Sequence, residues 1–391
     1  MRKSLLLCSV LLSVLSGSLC TVSGSEESTG SFVPRPQELE KQHVTTLSIG
    51  DAMPEFTLPD VDGNWVKSSD FADAEILTIV FTSNHCPTAQ AYEDRVIEYT
   101  DAYKDRGVQV VAIMPNSSKG LLLEECAYSD IDDSFAEMKI RARDKHYNFP
   151  YLYDGDDHHV SLKFGPVATP HVFVFDRDRK LQYVGRIDDR EKPGTGHAED
   201  LINATEALLA GKTPELQETK AFGCSVKWAW KLEWTNKVNA DWNNAPVTLE
   251  PIDLDAVAEL RKNPTGKLLL VNVWATWCAP CVMEYPEFVT TQRMYSSRDF
   301  EFVSISLDNL PRQDKTLAFL EKSHSALRNY IFSGDDKYAF IEALDPSWNG
   351  ALPYTILMEP GGKVVWSYQG PVDFLELRRK IVDHPMLGRY Y

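Results

Sequence analysis

The sequence predicts an α/β protein built from two successive units, each a mixed β-sheet flanked by helices. Two stretches carry this prediction, because they align without a gap at an offset of 192 residues, which places Cys86 on Cys278. Each cysteine follows an apolar, β-rich run, "EILTIVF" (75–81) or "LLLVNVW" (268–274), and precedes a stretch with helical spacing. Strands that alternate with helices imply crossover connections and a sheet covered by helices.

The remainder of the two units also aligns. The next strands are predicted at 108–113 ("VQVVAI") and 300–305 ("FEFVSI"), which keep the same offset. Each unit then has a proline-led strand, a turn and a second strand, within 168–185 and 351–370, a pattern typical of a β-hairpin. A last helix follows each hairpin. We place these two helices at 197–211 and 373–383.

The helix after Cys86 is defined by an apolar stripe with helical spacing. The residues of this stripe are Ala89, Tyr92, Val96, Tyr99 and Tyr103. A second helix of this unit is predicted at 134–147, where "DIDD" (130–133) supplies carboxylates that cap its N-terminus. Cys126 lies in the loop before this helix.

Composition indicates a folded protein and excludes nucleic acid as a partner. The chain of 391 residues is longer than one compact core usually holds, which favours two domains. It is 43% hydrophobic and 25% charged, as globular proteins are. Its net charge of −17 leaves no basic surface to displace the counterions of a phosphate backbone.

The N-terminus has the pattern of an export signal. Residues 1–24 contain two basic residues, then an apolar run too short for a transmembrane span, then small residues. We therefore predict an exported protein of the periplasm or cell envelope. It would be bound to the membrane only if Cys20 were lipidated. Residues 25–42 are polar, contain two prolines and are predicted to be a tether.

The cysteines point to redox chemistry. Five of them lie outside the signal, and only Cys278 and Cys281 have the Cys-x-x-Cys spacing. Small exported disulfide scaffolds carry more cysteines in a shorter chain. A zinc site needs further cysteine or histidine ligands near the pair, and the sequence offers none there. We therefore predict neither a metal nor a cofactor.

The motifs around the two cysteine positions resemble known redox families. "VNVWATWCAPCVMEYPEF" and "LPYTILMEPGGKVV" make residues 246–391 similar to the exported thioredoxin-like reductases of the cytochrome-c-maturation type. "NHCPTAQAYEDR", "ATPHVFVFD" and "FGCSVKW" make the first unit resemble the single-cysteine redoxins related to alkyl hydroperoxide reductase and thiol-specific antioxidant proteins. The peroxidase signature of that group has a proline where this chain has Ile79. The resemblance implies two tandem thioredoxin-like folds.

The predicted domain organisation follows from these units. A redoxin-like domain spans 43–222, an aromatic linker spans 223–245, and the second thioredoxin-like domain spans 246–391. The linker contains the tryptophan-rich stretch "KWAWKLEW" (227–234), which we expect to pack between the domains. The stretch "GDDHH" (155–159) is interpreted as a solvated turn rather than a metal site.

Cys278 and Cys281 are the predicted catalytic pair. Cys278 opens a helix, whose N-terminal dipole stabilises the thiolate that attacks a partner disulfide. Cys281, one turn further along the same face, would resolve the mixed disulfide. Trp277 would shade one side of the pair. Glu284, three residues beyond Cys281, is a candidate proton acceptor, and an exposed glutamate without a role is the alternative.

Two prolines are expected to complete the two sites. The resemblance implies a cis bond between Leu352 and Pro353, opposite the dithiol. A cis proline leaves the backbone of the preceding residue free to pair with a substrate strand. Thr169 and Pro170 should have the same role in the first unit. For each proline, an ordinary turn is the alternative.

Cys86 has Ala89 where a resolving cysteine would stand, so several interpretations stay open. It is a peroxidatic thiol, a thiol that pairs with a distant cysteine, or part of a binding module. A protonated His85 beside it would lower its pKa. Sheet geometry favours Cys126 as a resolving partner, since the parallel strands that precede Cys86 and Cys126 have their carboxyl ends at the same edge of the sheet. The family motif supports Cys224 instead.

We therefore predict an exported thiol–disulfide oxidoreductase whose first domain has a peroxidatic or redox-accessory role. Its partners would be protein disulfides or dithiols in the cell envelope, together with an upstream membrane electron donor. The alternative is a non-enzymatic envelope scaffold in which the Cys278–Cys281 pair is structural. The reduction potential of the pair distinguishes these two functions.

Overall fold

The computed structural model describes residues 32–389 of the chain. The strands of the N-terminal half are β1 (Thr57–Pro59), β2 (Trp65–Lys67), β3 (Ile76–Phe81), β4 (Val108–Met114), β5 (Tyr151–Tyr153), β6 (Ala168–Thr169), β7 (His171–Phe175), β8 (Leu181–Gly185) and β9 (Cys224–Ser225). Its helices are α1 (Pro87–Tyr103), α2 (Phe135–Asp144), α3 (Ser161–Phe164) and α4 (Glu199–Leu209).

Helix α5 (Leu232–Asn243) leads into the C-terminal half. The strands there are β10 (Glu250–Ile252), β11 (Leu268–Trp274), β12 (Phe300–Ser306), β13 (Arg328–Phe332), β14 (Tyr354–Met358) and β15 (Val364–Gln369). The helices are α6 (Leu254–Arg261), α7 (Ala279–Met294), α8 (Gln313–Lys322), α9 (Lys337–Leu344) and α10 (Phe374–Val382).

Strand β3 is at the centre of a five-stranded N-terminal sheet with the order β5–β4–β3–β7–β8. It pairs parallel with β4 and antiparallel with β7, so the sheet is mixed. Cys86 follows β3 and caps the N-terminus of α1. All five residues of the predicted apolar stripe on α1 are buried. The β3–α1 junction therefore holds Cys86 inside the fold.

The C-terminal sheet has a corresponding order, β10–β13–β12–β11–β14–β15. Strand β11 pairs parallel with β12 and antiparallel with β14, as β3 does with its two neighbours. Cys278 follows β11 and caps α7, the position that Cys86 has in the first half. β10 extends this sheet by one parallel strand at its edge.

These elements confirm the predicted fold class, a mixed α/β fold with helices flanking the sheets. The predicted runs at 75–81 and 268–274 are strands β3 and β11. Some helices are shorter than the sequence pattern indicated. Helix α2 ends at Asp144 rather than at residue 147, because His146 has a left-handed conformation that a right-handed helix excludes.

Residues 121–130, called here the 121–130 segment, pack against the C-terminal half. The Cys126 side chain is buried in an apolar cluster with Leu268 and Phe288. Asp130 forms ion pairs with Arg379, at 2.9 Å, and with Arg389, at 2.5 Å. The described residues accordingly form one compact unit with a core that is continuous between the halves.

The predicted signal lies wholly, and the predicted tether partly, outside the described residues. The signal at 1–24, with Cys20, lies outside the described residues, as does the tether up to residue 31. From residue 32 the tether has no helix or strand, and Phe32 packs on Phe135 with ring centroids 5.0 Å apart. Within residues 32–389, no helix is both long and apolar enough to cross a membrane.

The linker at 223–245 is largely structured. Trp228 stacks on Trp230 with ring centroids 4.9 Å apart, and His158 of the N-terminal half meets Trp228 edge-on. Trp234 is 58% exposed. Contact with the C-terminal half comes from α5, where Trp242 lies under the guanidinium of Arg293. The tryptophan-rich stretch itself therefore packs mainly on the first half.

Candidate active site

Cys278 and Cys281 form a disulfide at the carboxyl end of β11, with an S–S distance of 2.01 Å. Cys278 caps the N-terminus of α7, and Cys281 is one turn inside the helix. Cys278 is 6% exposed and Cys281 is 1% exposed. The sulfur that an external partner can reach more easily is therefore that of Cys278, where the helix dipole also favours a thiolate.

The turn that presents Cys278 is fixed by hydrogen bonds. The Cys278 amide donates to the Ala275 carbonyl at 3.1 Å. The amide and hydroxyl of Thr276 both donate to Asp308, at 2.9 and 3.0 Å. Asp308 is 2% exposed, so this carboxylate anchors the turn from inside the fold. The pair is therefore held in place before any substrate arrives.

The surface around the disulfide is apolar and partly open. Trp277 is 65% exposed and Met283 is 81% exposed. Leu352 packs against the cluster that contains the two cysteines, and the Leu352–Pro353 bond is cis, as the resemblance implied. Among residues 32–389, no strand pairs with residues 351–352. The Ala351 amide and carbonyl bond to the side chains of Asn349 and Trp348, so the open backbone edge beside the disulfide is that of Leu352.

Glu284 lies on α7, three residues after Cys281, a spacing that puts the two side chains on one face of the helix. It is 8% exposed. One carboxyl oxygen accepts the Val372 amide at 2.9 Å, and the other, Oε1, is buried without a partner in the described chain. Burial raises the pKa of Glu284 to about 7, although the Val372 hydrogen bond opposes this rise. The exposed glutamate considered as the alternative does not match this environment.

Cys86 is completely buried. Its sulfur lies 3.4 Å from the Ala89 amide and 3.3 Å from the Cys224 amide, and both of these donate to it. In the thiol form it donates to the Thr169 carbonyl at 3.1 Å. The Thr169–Pro170 bond is cis, like Leu352–Pro353. The structure therefore brings Cys86, Thr169 and Cys224 together.

A buried carboxylate positions the histidine beside Cys86. Asp133 accepts from His85 Nδ1 at 2.5 Å and from Asn116 at 2.7 Å, and its second oxygen accepts the His85 amide. Burial disfavours a charged imidazole, but the Asp133 carboxylate outweighs it and raises the pKa of His85. His85 Nε2 is buried without a hydrogen-bond partner among residues 32–389. The arrangement favours a protonated imidazole next to the thiol.

The electrostatics of Cys86 favour a thiolate. Burial would raise its pKa, but a hydrogen bond from the Cys224 thiol and the charge of His85 lower it to about 6. The opposite effect acts on Cys224, whose pKa is raised by its hydrogen bond to Cys86 and by burial. The two thiols therefore share one proton, with the negative charge on the buried sulfur.

The two candidate resolving cysteines have different surroundings. Cys224 reaches Cys86 because β9 pairs with β6, which places Cys224 opposite Thr169. Cys126 is buried among the apolar side chains of the C-terminal half, and burial raises its pKa strongly. A bond between Cys86 and Cys126 would require Cys126 to leave this cluster. The expectation that parallel strands end at one edge of the sheet did not predict where the loop with Cys126 lies.

The stretch at 155–159 contributes to a group of metal-type side chains formed by Asp154, Asp157 and His159. Asp154 is engaged otherwise, because it accepts hydrogen bonds from both the amide and the hydroxyl of Ser161 at the start of α3. Asp157 and His159 are partly exposed and bond to each other. The group acts as a turn and helix cap.

Neither Asp133 nor Asn116 was predicted from the sequence to be a site residue. Asp133 is part of "DIDD", which we interpreted only as a helix cap, and it is Ser134 whose side chain accepts the helix amide. Asn116 follows β4, at the same edge of the sheet as Cys86. A polar residue just after a buried parallel strand was the available indication, since such positions often form sites.

Comparison with known proteins places these cysteines in a family. The family described as Redoxin matches residues 48–202 and 250–379, which include Cys86, Cys278 and Cys281. The thiol:disulfide interchange protein HelX of Rhodobacter capsulatus is 27% identical over 139 residues, which cover 34% of this chain and 70% of HelX.

Two further relatives represent the two chemistries considered above. Thiol-disulfide oxidoreductase ResA of Bacillus subtilis is 31% identical over 100 residues, 26% of this chain and 51% of ResA. Peroxiredoxin Bcp of Escherichia coli is 26% identical over 150 residues, 35% of this chain and 85% of Bcp. The chain thus spans about half the length of ResA and more of the other two. These comparisons confirm the predicted enzyme class, an oxidoreductase. Since the family match covers most of the chain and all three of these cysteines, the chain belongs to the redoxin family.

Proposed function

We propose that this protein is an exported thiol–disulfide oxidoreductase that works through a mixed disulfide on Cys278. The observation that carries the proposal is the Cys278–Cys281 pair at the start of α7, with Cys278 as the more exposed sulfur. HelX and ResA are named for thiol–disulfide chemistry. Their names support, for this chain, protein disulfides or dithiols as substrates.

The proposed cycle starts from the reduced pair. The Cys278 thiolate attacks a substrate disulfide, which forms a mixed disulfide and releases the first substrate sulfur as a thiolate that takes up a proton. Cys281 loses its proton and attacks Cys278, which releases the second substrate thiol and leaves the Cys278–Cys281 disulfide. A dithiol donor, for which we propose a membrane protein of the envelope, then returns two electrons and two protons.

Glu284 is the proposed proton acceptor in the second step. With its pKa near 7, its carboxylate and carboxylic acid forms are both populated at neutral pH, which suits a group that takes and returns a proton. The unpartnered Oε1 is the atom available for this role. Its burial also keeps bulk water from competing for the proton.

The substrate is proposed to bind beside the cis proline. No strand among residues 32–389 pairs with Leu352, and Leu352 packs against the disulfide cluster, so its backbone offers the edge. An extended peptide that carries the target cysteine could pair with this edge. Trp277, exposed next to Cys278, would cover one side of that peptide.

For the N-terminal half we propose a redox-accessory role. Cys86 is buried, and both the peptide amide and the thiol of Cys224 contact it, which favours pairing within the chain over direct attack on a peroxide. The likeness to peroxiredoxin Bcp supports the peroxidatic alternative. Dimedone labelling of a Cys224→Ser chain after peroxide treatment separates them, since a peroxidatic Cys86 would then form a sulfenic acid that has no neighbouring thiol to condense with.

We also propose the domain bounds 43–222 and 246–391, with residues 223–245 between them, for a chain exported by residues 1–24. Each half has its own sheet and helices. The fragments 43–222 and 246–391 are expected to melt cooperatively when produced alone. Fragments that are soluble only when mixed would show that the packing around Cys126 completes a single shared core.

Redox titration tests the main proposal against a structural disulfide. A catalytic pair should have a reduction potential between about −270 and −120 mV. A structural disulfide in an exported scaffold should lie below about −300 mV. The second result would replace the enzyme by the scaffold.

A further inference from the structure

The backbone edge that is open beside Cys278 is occupied beside Cys86. In the N-terminal half, β6 leads into the cis proline and pairs antiparallel with β9, with Thr169 opposite Cys224. In the C-terminal half, the corresponding residues 351–352 pair with no strand among residues 32–389. A segment of the same chain therefore lies where a substrate peptide is proposed to bind in the other half.

This segment carries a cysteine at the position where a substrate cysteine would be needed. The Cys224 amide donates to the Cys86 sulfur at 3.3 Å, and the same sulfur contacts the Thr169 carbonyl, to which it donates at 3.1 Å as a thiol. Cys224 is partly exposed, whereas Cys86 is fully buried. Of the two residues, only Cys224 is accessible from outside.

Gly223 allows the segment to approach this closely. A Cβ atom on residue 223 would lie 2.0 Å from the Thr169 carbonyl oxygen, and the residue has a φ of +133°. Both the contact and the backbone angle exclude a side chain. The docking of β9 on β6 thus depends on a glycine directly before Cys224.

We propose that residues 223–225 act as a built-in substrate strand, so that Cys86 and Cys224 form a second thiol–disulfide exchange centre, which external thiols enter at Cys224. The centre is independent of the Cys278–Cys281 proposal. The proposed centre does not require thiol–disulfide exchange with Cys278 or Cys281.

The proposed exchange transfers two electrons between two external thiols and the Cys86–Cys224 pair. In the oxidised centre, an external thiolate attacks the Cys224 sulfur, the Cys86–Cys224 bond breaks, and Cys86 leaves as a thiolate. A second external thiol attacks the external sulfur of this mixed disulfide, which forms an external disulfide and releases Cys224. Two electrons pass to the protein pair, and two protons complete the two cysteine thiols. The reverse reaction, with an external disulfide as oxidant, forms the Cys86–Cys224 bond.

The surroundings of Cys86 suit a leaving thiolate. Thiols with a lowered pKa leave faster in exchange. Here the buried sulfur accepts two amide hydrogen bonds and lies beside His85, which Asp133 holds in place at 2.5 Å. In this pair the buried cysteine caps the helix, whereas in the C-terminal pair the more exposed cysteine does so.

The test uses the full chain with Cys278→Ser and Cys281→Ser, so that its outcome does not depend on the first pair. The chain is equilibrated in mixtures of reduced and oxidised glutathione, quenched in acid, alkylated and mapped by mass spectrometry. We expect two thiols to be lost together as one Cys86–Cys224 disulfide, while Cys126 remains a thiol. Glutathione attached separately to Cys86 and Cys224, with no bond between them, would overturn the proposal.

Gly223→Ala tests the role of the strand with both cysteines retained. It should lower the equilibrium constant for forming the disulfide by about tenfold or more, since overpacked contacts typically cost that much. Gly211→Ala is the matched control, because Gly211 also has a positive φ, +68°, but no atom within 4 Å of an added Cβ. Equal behaviour of the two variants would refute the substrate-strand interpretation, and the mapping of the parent chain decides the pairing even if Gly223→Ala does not fold.

Discussion

Replacing Glu284 by glutamine should make the stability of the oxidised protein less dependent on pH. The carboxyl group is nearly buried, and burial raises its pKa to about 7. In the unfolded chain a glutamate ionises near pH 4.3. As the pH rises above that value, ionisation therefore favours the unfolded state, and this penalty grows until the pH passes about 7 and is then constant.

The size of the effect follows from the pKa rise. One pKa unit corresponds to about 1.4 kcal/mol, and some access of solvent to the carboxyl group reduces the full value. Glu284→Gln should therefore increase the free energy of unfolding by about 2 kcal/mol at pH 8 and leave it almost unchanged at pH 4. The glutamine oxygen can still accept the hydrogen bond that the Val372 amide donates, so this contact is retained.

The assay is urea denaturation of both oxidised proteins from pH 4 to pH 9. Glu342→Gln, an exposed position on α9, is the control and should give no such trend. Turnover of a model disulfide gives a second readout, since the rate should rise through about pH 7 in the parent and lose this rise in Glu284→Gln. A stability difference that is the same at every pH, or that decreases as the pH rises, would refute the account of Glu284.

Two further predictions concern the interface and the catalytic pair. Asp130→Asn should destabilise the protein by about 2 kcal/mol at pH 7, because burial of Asp130 is outweighed by Arg389 and Arg379, which lower its pKa to about 2. This contribution to stability is present above the pKa of an unfolded aspartate and is lost as the pH falls towards 2. Equal urea midpoints of the parent and Asp130→Asn at pH 7 would contradict the prediction. In the reduced protein, alkylation at mildly acidic pH should label Cys278 before Cys281, and the opposite order would mean that the helix dipole does not select the nucleophile.

The elements that position the cysteines could be predicted from the sequence because their signals are local. The apolar run before Cys278 is β11, and the stripe on α1 is buried as its spacing indicated. The cis bond before Pro353 was implied by a resemblance rather than by any local pattern. The sequence thus predicted where each thiol leaves its strand and enters its helix.

The surroundings of Cys86 could not be predicted because they come from distant parts of the chain. Asp133 is 48 residues away from His85, and its cap-like context concealed its contact with that side chain. Strand β9 is only two residues long, too short to give a periodic signal. Cys126 was assigned to a loop, but its apolar neighbours belong to the other half of the chain.

The most direct test of the central claim is the capture of mixed disulfides by the full chain with Cys281→Ser in the native cell envelope. Without Cys281, a covalent adduct on Cys278 cannot be resolved within the pair and should accumulate. We predict protein adducts linked to Cys278 that reducing agent releases and that the Cys278→Ser, Cys281→Ser chain does not form. Equal capture by the two chains, or no adduct with either, would contradict the claim that Cys278 is the nucleophile of a thiol–disulfide oxidoreductase.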